Sequence, residues 1–264
     1  MQLLSRWLSL VLLLTSLSGR GADAPWRIIT VEEPPASFPL AGGQLDGFVV
    51  DLVKALQHQL QDDSPIELMP EGRAMLTAQQ QHNTLLFSFS RTAERETQFH
   101  WVLPVLRKRW QIYLPAKSRL LLRSLTDLRK LNAIGVVRGD VREQYLIQQG
   151  LTNLVAVNSH QQNLQMLQSG RVDAIAGDSL ELAYQIRQNL VKSAAPKLAL
   201  TLRSSDVYLI MPKDADAGLV KRWQHAAKTL QQSGELEQIA VSWQQRIQQE
   251  MQITVQRDGH LLLF

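Results

Sequence analysis

No cysteine occurs among the 264 residues, which excludes disulfide cross-links, thiol catalysis, iron–sulfur clusters and cysteine-ligated zinc. The six histidines do not show the His-Glu-x-x-His spacing of a zinc-binding helix. Phosphate-binding loops, dinucleotide-binding fingerprints and the Gly-x-Ser-x-Gly motif of serine hydrolases are also missing. The sequence therefore predicts no metal, no cofactor and no recognisable set of catalytic residues.

Net charge is also small for the length of the chain. Subtracting 24 acidic from 28 basic residues leaves +4 at pH 7, a weak field for attracting nucleic acid. A hydrophobic fraction of 45% is too high for a disordered chain. The length allows one large domain or two lobes, each with its own core. We expect a globular protein that does not bind nucleic acid.

The N-terminus has the layout of a secretory signal peptide. Arg6 precedes a short apolar run, Leu8–Leu14, and small residues follow; this run is too short for a permanent membrane span. The alternative is an N-terminal membrane anchor. We interpret residues 1–24 as a signal peptide, cut near Gly21 or Ala24. No later stretch approaches 18 consecutive apolar residues, so we expect a mature chain that is exported to the periplasm and is not embedded in a membrane.

Short apolar strands alternate with amphipathic helices along the rest of the chain, which predicts parallel sheets covered by helices. We expect a helix near 52–60, with Asp51 as its N-terminal cap, and a C-terminal hairpin near 253–264. The other predicted strands lie near 26–31, 66–69, 84–88, 110–114, 133–137, 154–157, 172–176 and 207–211. The other predicted helices begin near 74 or span about 141–149, 161–168, 180–188, 215–232 and 235–248.

An ordered set of motifs resembles family 3 of the extracellular solute-binding proteins, which includes the amino-acid-binding components of ABC importers. Single motifs are weak signals, but the whole set occurs in the family's order over nearly the entire mature chain. The matching segments are Pro34-Pro35-Ala36-Ser37-Phe38, Gly47-Phe48-Val49-Val50-Asp51-Leu52, Ser90-Arg91-Thr92-Ala93-Glu94-Arg95-Glu96, Leu125 to Leu128, Ile134-Gly135-Val136 with Gly139, and Gly170 to Ala174 ending at Asp178.

The resemblance implies the two-lobed type II periplasmic-binding fold, an α/β fold in which each lobe is a mostly parallel sheet flanked by helices. It places lobe I at 25–108 plus 206–264 and an inserted lobe II at 109–205, joined by two hinge crossings. It also implies capture of a small polar ligand, an amino acid or a related compound, in the cleft between the lobes. The expected partner is the membrane permease of an ABC importer, and the expected protein is a monomer without enzymatic activity.

Four residues match the family's ligand-binding positions. Arg95 ends the Thr-x-x-Arg motif whose arginine holds the ligand carboxylate, as a planar guanidinium can; the alternative is an ordinary solvated charge at a helix start. Asp178 matches the acidic residue that meets the ligand ammonium group, but its position also suits a helix cap. Ser88 and Ser90 match positions that line the cleft, although both could simply end a strand.

The chain departs from the family pattern at several cleft positions. Glu33 stands where amino-acid binders usually have a stacking aromatic residue, and Ala36 replaces a phenylalanine. Asp140 and Val141 follow Gly139, where the family usually has a Ser or Thr pair that helps to hold the carboxylate at a helix N-terminus. We include Glu33, Asp140 and Val141 among the ligand-binding candidates. An ordinary α-amino acid and a cationic or polar non-standard ligand both fit these residues.

Two other functions use the same fold. One is a periplasmic sensing subunit, which passes the closed form to a membrane receptor instead of a permease. The other is an enzyme similar to periplasmic dehydratases, for which Glu33 or Glu71 could act as the general acid or base.

Overall fold

The computed structural model describes residues 26–188 and 194–264, and the predicted signal peptide lies outside them. Within these residues, no helix combines the length and the apolar character needed to cross a membrane. The strands are β1 (Arg27–Thr30), β2 (Phe38–Pro39), β3 (Leu45–Asp46), β4 (Ile66–Leu68), β5 (Thr84–Ser90), β6 (Phe99–Leu114), β7 (Ile134–Val137), β8 (Leu154–Val157), β9 (Ala174–Gly177), β10 (Lys197–Pro212), β11 (Gln256–Asp258) and β12 (Leu261–Leu263). The helices are α1 (Phe48–Leu60), α2 (Glu71–Gln80), α3 (Leu125–Leu128), α4 (Val141–Gln148), α5 (His160–Gln168), α6 (Ser179–Arg187), α7 (Ala217–Ser233) and α8 (Glu235–Met251).

Two long strands, β6 and β10, connect two sheet regions. The strand order is β4-β1-β5-β10-β6-β9-β7-β8, and the hairpin β11-β12 adds to the middle of β6, at Leu106 and Arg107. β6 and β10 are antiparallel to each other along their length. The pairs β1–β4, β1–β5, β7–β8 and β7–β9 are parallel, as the alternation of strands and helices predicts. The chain therefore passes twice between a first lobe around β1 and a second lobe around β7.

Each lobe has its own hydrophobic core. In the first lobe, α1, α7 and α8 bury one face against the sheet, with Trp223 and Trp243 among the enclosed side chains. A smaller group around Phe89 fills the other face, beneath α2. In the second lobe, residues of β7, β9 and α4 surround Ile134 and Leu146. This layered arrangement confirms the predicted α/β fold.

The start of α1 differs from the sequence prediction. The helix begins at Phe48, and Gly47 precedes it with φ 143°. Asp51 does not cap the helix, because its carboxylate accepts a hydrogen bond from the indole of Trp243 at 2.8 Å. Gly47 is needed for close packing, since a β carbon there would lie 2.3 Å from the carbonyl oxygen of Ala36. Close packing against Ala36 therefore explains the glycine that begins the motif Gly47 to Leu52.

The carboxyl ends of β1, β4 and β5 in the first lobe face those of β7 and β8 in the second. In open parallel sheets, ligands bind just beyond these ends, because the loops and helix N-termini there supply polar groups. The fold therefore brings polar residues from both lobes to one cleft.

Candidate functional site

A cavity of about 340 Å³ lies between the two lobes, within the size range of small-molecule sites. The first lobe supplies the segments that follow β1 and β4, together with Ser88, Ser90 and Lys108. The second lobe supplies Trp110, the starts of α4 and α5 and the cleft-facing side of α6. A solute in this cavity would contact both lobes at once.

The lobes are close together around this cavity. A β carbon built on Gly139 of the second lobe would lie 3.6 Å from the Cα atom of Gly72 in the first. On another side, the rings of Phe38 and Tyr184 are 5.3 Å apart, and Leu180 packs into the core of the first lobe. The structure therefore shows the cleft in a closed arrangement.

Buried hydroxyl groups surround Ser88 and Ser90 at the edge of the first lobe. The hydroxyl of Ser205 donates to that of Ser90 at 3.1 Å, and the hydroxyl of Ser37 lies 3.4 Å from that of Ser88. Ser88 has a left-handed backbone with φ 73°, which is uncommon outside glycine and is concentrated at functional sites. Both serines predicted to line the cleft do contact the cavity.

Lys108 lies in the cleft between two carboxylates. Its ammonium group is in close contact with the carboxylate of Glu33 and lies 3.8 Å from that of Asp178. Burial lowers the pKa of Lys108, and the nearby carboxylate of Asp178 opposes this effect. Glu33 is therefore placed in the cavity wall as half of a buried ion pair.

Arg142 binds the acidic residues of the second lobe. Its guanidinium donates two hydrogen bonds to Asp140, at 2.8 and 2.6 Å, and one to Asp178 at 3.0 Å. Burial opposes the ionisation of Asp140, but the charge of Arg142 outweighs it and holds the pKa of Asp140 below its usual range. Bidentate, charge-assisted bonds of this kind are among the strongest in proteins. The negative charges of Asp140 and Asp178 are thus both paired with a positive charge of the protein itself.

Asp178 and Asp140 also cap helices. One oxygen of Asp178 accepts from the backbone N–H groups of Leu180 and Glu181, and Asp140 accepts from the backbone of Arg142. The helix-cap interpretation of Asp178 is therefore observed, while its proposed contact with a ligand ammonium group stays a prediction. Asp178 lies behind the cavity wall, whereas Asp140 and Val141 line it.

Arg95 lies just outside the cavity lining and is buried. It donates to the backbone oxygen of Ser90 and to the carboxylate of Glu71, both at 3.4 Å. Arg95 is therefore not a solvated surface charge, and its two hydrogen bonds are long. Its predicted contact with a ligand carboxylate stays a prediction.

Glu71 and His160 are titratable groups of the cavity wall. Burial, and then the negative charge of Asp140 across the cleft, raise the pKa of Glu71 to about 7, against the opposing charge of Arg95. Burial lowers the pKa of His160, but the carboxylate of Glu181 reverses this and leaves it raised. Nδ1 of His160 lies 2.9 Å from Oε2 of the Glu181 carboxylate.

Four residues of this site were not predicted from the sequence: Lys108, Arg142, His160 and Glu181. One feature of the sequence could have indicated Arg142. It lies two residues after Asp140, and a carboxylate in a buried cleft requires a positive charge beside it. Glu181 lies one turn after Asp178 on the same helix. No local pattern marks Lys108 or His160, whose partners come from distant parts of the chain.

Among residues 26–188 and 194–264, no group of three or more His, Cys, Asp or Glu side chains is placed to hold a metal ion.

Comparison with known proteins gives a consistent family assignment. The family model for bacterial extracellular solute-binding proteins, family 3, matches residues 27–246. An arginine-binding periplasmic protein from Mannheimia haemolytica is 26% identical over 237 residues, which cover 88% of this chain and 97% of that protein.

Solved structures share the fold. A histidine kinase sensor domain with similarity to periplasmic binding proteins superimposes with a TM-score of 0.74 at 19% identity, covering 84% of this chain and 96% of that one. An ancestral arginine-binding protein bound to arginine gives a TM-score of 0.71 at 23% identity, and the match covers 84% of this chain and 99% of that one. The two-lobed periplasmic-binding fold is thereby confirmed.

Proposed function

The chain belongs to family 3 of the bacterial extracellular solute-binding proteins, and on this basis we propose that it captures a small polar solute, an amino acid or a related compound, between its lobes. The observation that carries the proposal is the cavity of about 340 Å³ to which both lobes contribute polar and charged side chains. The arginine-binding relative from Mannheimia haemolytica supports an amino-acid ligand.

Capture of the solute would favour the closed arrangement, because closure adds the contacts of the second lobe to those of the first. We place the boundaries between the lobes at residues 108–109 and 205–206, inside β6 and β10. These two strands support the assignment, since they are the long antiparallel pair that runs from one core to the other. The closed form would then dock on the permease of an ABC importer.

Arg95 is our candidate for the group that binds the ligand carboxylate. Its two hydrogen bonds, both 3.4 Å long, leave the guanidinium free to turn toward a stronger acceptor. We expect Arg95→Ala to abolish ligand-induced thermal stabilisation. Arg91→Ala is the matched control, because Arg91 is a half-exposed arginine of the same motif, paired with Glu96. Equal stabilisation of the Arg95→Ala variant and the wild type would contradict the assignment.

We propose export through a signal peptide that is cleaved near Gly21 or Ala24. The protein expressed with its leader should then be found in the periplasmic fraction with the mass of the shortened chain. Full-length mass in the membrane fraction would instead support the N-terminal anchor.

We further propose that the cleft binds its solute without changing it, as the family's name implies. Glu71, with its pKa near 7, is the group that an enzyme of this fold would use as acid or base. Mass spectrometry of a solute incubated with the protein tests this point: the solute should be recovered unchanged, and conversion abolished by Glu71→Gln would contradict binding without catalysis.

The experiment that tests the proposed function is a thermal-shift screen of the exported protein against amino acids, polyamines and small carboxylates. We expect at least one amino acid or related compound to raise the melting temperature in a concentration-dependent manner. The absence of a shift with every class would contradict solute capture of this kind.

A further inference from the structure

The two lobes carry net charges of opposite sign. Residues 109–205, which we assign to the second lobe, contain 13 Lys and Arg residues against six Asp and Glu residues, a net charge of +7 at pH 7. Residues 25–108 and 206–264 together contain 13 basic and 17 acidic residues, a net charge of −4. The small net charge of the whole chain therefore results from two lobes of opposite sign, and such an asymmetry orients a protein at a charged surface.

More than half of the basic residues of the second lobe lie at the end farthest from the cleft. β9 ends beside the cleft at Gly177, which pairs with Gln111 of β6. From that point β6 runs away from the cleft to Leu114, which pairs with Lys197 at the start of β10. The segment 115–124 after β6, and the segments just before β7, β8 and β9, therefore lie together at this end of the lobe. We call it the distal end.

The distal end carries seven basic side chains, most of them without a carboxylate partner. They are the exposed residues Lys117, Arg119, Arg123, Arg129, Lys130 and Arg171 and the half-buried Lys197. Within the described residues, Lys130 alone among them forms an ion pair, with Asp127 at 2.8 Å. The other acidic residue of the distal end is Asp173, whose carboxylate accepts hydrogen bonds from two backbone N–H groups of neighbouring residues. Seven positive charges therefore stand against two negative ones.

Exposed leucines lie among these basic residues. Leu120 and Leu121 are 49% and 77% exposed, and Leu198 is 52% exposed. The two sites are adjacent, because the ammonium group of Lys197 is in close contact with the backbone oxygen of Ser118. These three leucines are among the eight large hydrophobic side chains that are exposed in the described part of the chain. A single exposed leucine is ordinary, but neighbouring ones form a patch that marks an interaction site.

The fold holds the segment 115–124 in place, although the segment forms neither helix nor strand. Leu122 is buried in the core of the second lobe. The backbone N–H of Ser118 donates to the carbonyl oxygen of Pro115 at 2.9 Å, and its hydroxyl accepts from the backbone N–H of Leu120 at 3.3 Å. The leucines that precede Leu122 are therefore exposed in a conformation that the rest of the lobe supports.

From these observations we propose that the distal end docks on the surface of an anionic lipid bilayer. Basic side chains are attracted to anionic headgroups, and leucines among them bury apolar surface at the boundary with the acyl chains. An extended surface suits charges that are spread over several separate segments of the lobe. The negative first lobe is repelled by the same surface, so the docked protein is oriented with its cleft away from the bilayer. This inference does not depend on the identity of the solute.

Sedimentation with lipid vesicles tests the proposal. The exported protein should bind vesicles of equal parts phosphatidylglycerol and phosphatidylcholine at least about tenfold more tightly than vesicles of phosphatidylcholine alone. Added salt should weaken this preference. The double variant Arg119→Glu with Arg123→Glu should lose at least about tenfold in affinity for the anionic vesicles.

Lys221→Glu with Arg222→Glu is the matched control for charge. It makes the same change in net charge on exposed residues of α7 in the first lobe, and it should change the affinity by less than about twofold, because these positions are screened from a surface at the distal end. Comparison of the two double variants also removes any contribution of residues 1–24, which both proteins share.

The apolar contribution has its own pair of variants. Leu120→Ser with Leu121→Ser should lower the affinity for the anionic vesicles by at least about tenfold, because two leucines no longer leave water on docking. Leu76→Ser is the control, since Leu76 is an exposed leucine of α2 in the first lobe, and it should bind as the wild type does.

Absence of binding to the anionic vesicles would overturn the proposal, as would equal binding by the wild type and the Arg119→Glu, Arg123→Glu variant. Retention on a polyglutamate column without binding to vesicles would assign the distal end to an acidic protein and would also overturn it. All these substitutions fall on exposed side chains, so the variants should keep the melting temperature of the wild type. Their response to the solute panel reports separately on the proposed function.

Discussion

At the scale of single residues, Arg142 is the group that makes the acidic wall of the second lobe possible. It is buried, and it contacts the carboxylates of Asp140 and Asp178 through three hydrogen bonds of 2.6 to 3.0 Å. Charges removed from water in this way are tolerated only when they are paired and hydrogen-bonded. The site therefore depends on Arg142 for its folding as well as for its charge.

We expect Arg142→Met to lower the free energy of unfolding by about 3–5 kcal/mol, because it leaves two buried carboxylates without their main counter-charge. Urea denaturation followed by circular dichroism measures this change. Arg138→Met is the matched control, because Arg138 is an exposed arginine in the segment just before α4, and we expect it to change stability by less than about 0.5 kcal/mol. Similar losses in both variants would show that the buried cluster is not the cause.

Glu71 should make the stability of the protein depend on pH. Its pKa is about 7 in the folded state, against an ordinary value of 4.5, because of burial and the charge of Asp140, with Arg95, Arg142 and His160 opposing. The folded state therefore holds the proton more tightly than the unfolded chain does. The resulting stabilisation is complete below pH 4.5 and is lost as the pH rises through 7.

Comparison with Glu71→Gln isolates this effect. Between about pH 5 and about pH 8, the wild type should lose on the order of 1–3 kcal/mol relative to the variant, as measured by urea unfolding at each pH. Parallel pH profiles of the two proteins would show that Glu71 titrates as an ordinary exposed carboxyl group.

At the scale of secondary-structure elements, Gly135 in β7 allows α5 to pack on the sheet of the second lobe. A β carbon at this position would lie 2.1 Å from the side-chain oxygen of Asn163. Asn163 is buried, and its amide donates to the backbone oxygens of Gly135 and Ala176, each at 3.2 Å. The glycine of the Ile-Gly-Val motif is thus required for a contact between a helix and two strands.

Gly135→Ala should therefore destabilise the protein by roughly 1–3 kcal/mol through overpacking, as measured by chemical denaturation. Gly42→Ala is a suitable control, because no atom lies within 4 Å of a β carbon there. If both variants were as stable as the wild type, α5 would have to be free to move away from the sheet.

The elements differ in how far the sequence predicts them. α4, α5, α6 and β8 lie within two residues of their predicted bounds, because apolar periodicity and local capping residues determine them. The 16-residue strands β6 and β10 were predicted only in part. In β6, the charged run Arg107–Arg109 and Pro104 break the apolar alternation that indicates a strand.

The candidate site was predicted less completely than the fold, for a physical reason. Glu33 and Lys108, or Arg142 and Asp178, meet only when distant segments come together, and no local pattern encodes such pairs. The family motifs placed five of seven candidate residues in the cavity wall: Glu33, Ser88, Ser90, Asp140 and Val141. They could not indicate that Asp140 and Asp178 would already be bound to Arg142.

At the scale of the whole molecule, two cores are joined by β6 and β10 and enclose one cavity between them. This architecture alone does not determine the function, because both a sensor domain of a histidine kinase and an arginine-binding protein share it. The specific chemistry lies in the charged residues of the cleft. Their buried ion pairs join Lys108 in the crossing strand to both lobes.

Calorimetric titration of the exported protein with amino acids and polyamines tests the central claim, capture of a small polar solute in this cleft, most directly. The account predicts saturable binding of at least one of these compounds at one site per chain, with loss of affinity in Arg95→Ala and no change in Arg91→Ala. Absence of binding heat with every one of these compounds would contradict the account, as would binding that Arg95→Ala leaves intact.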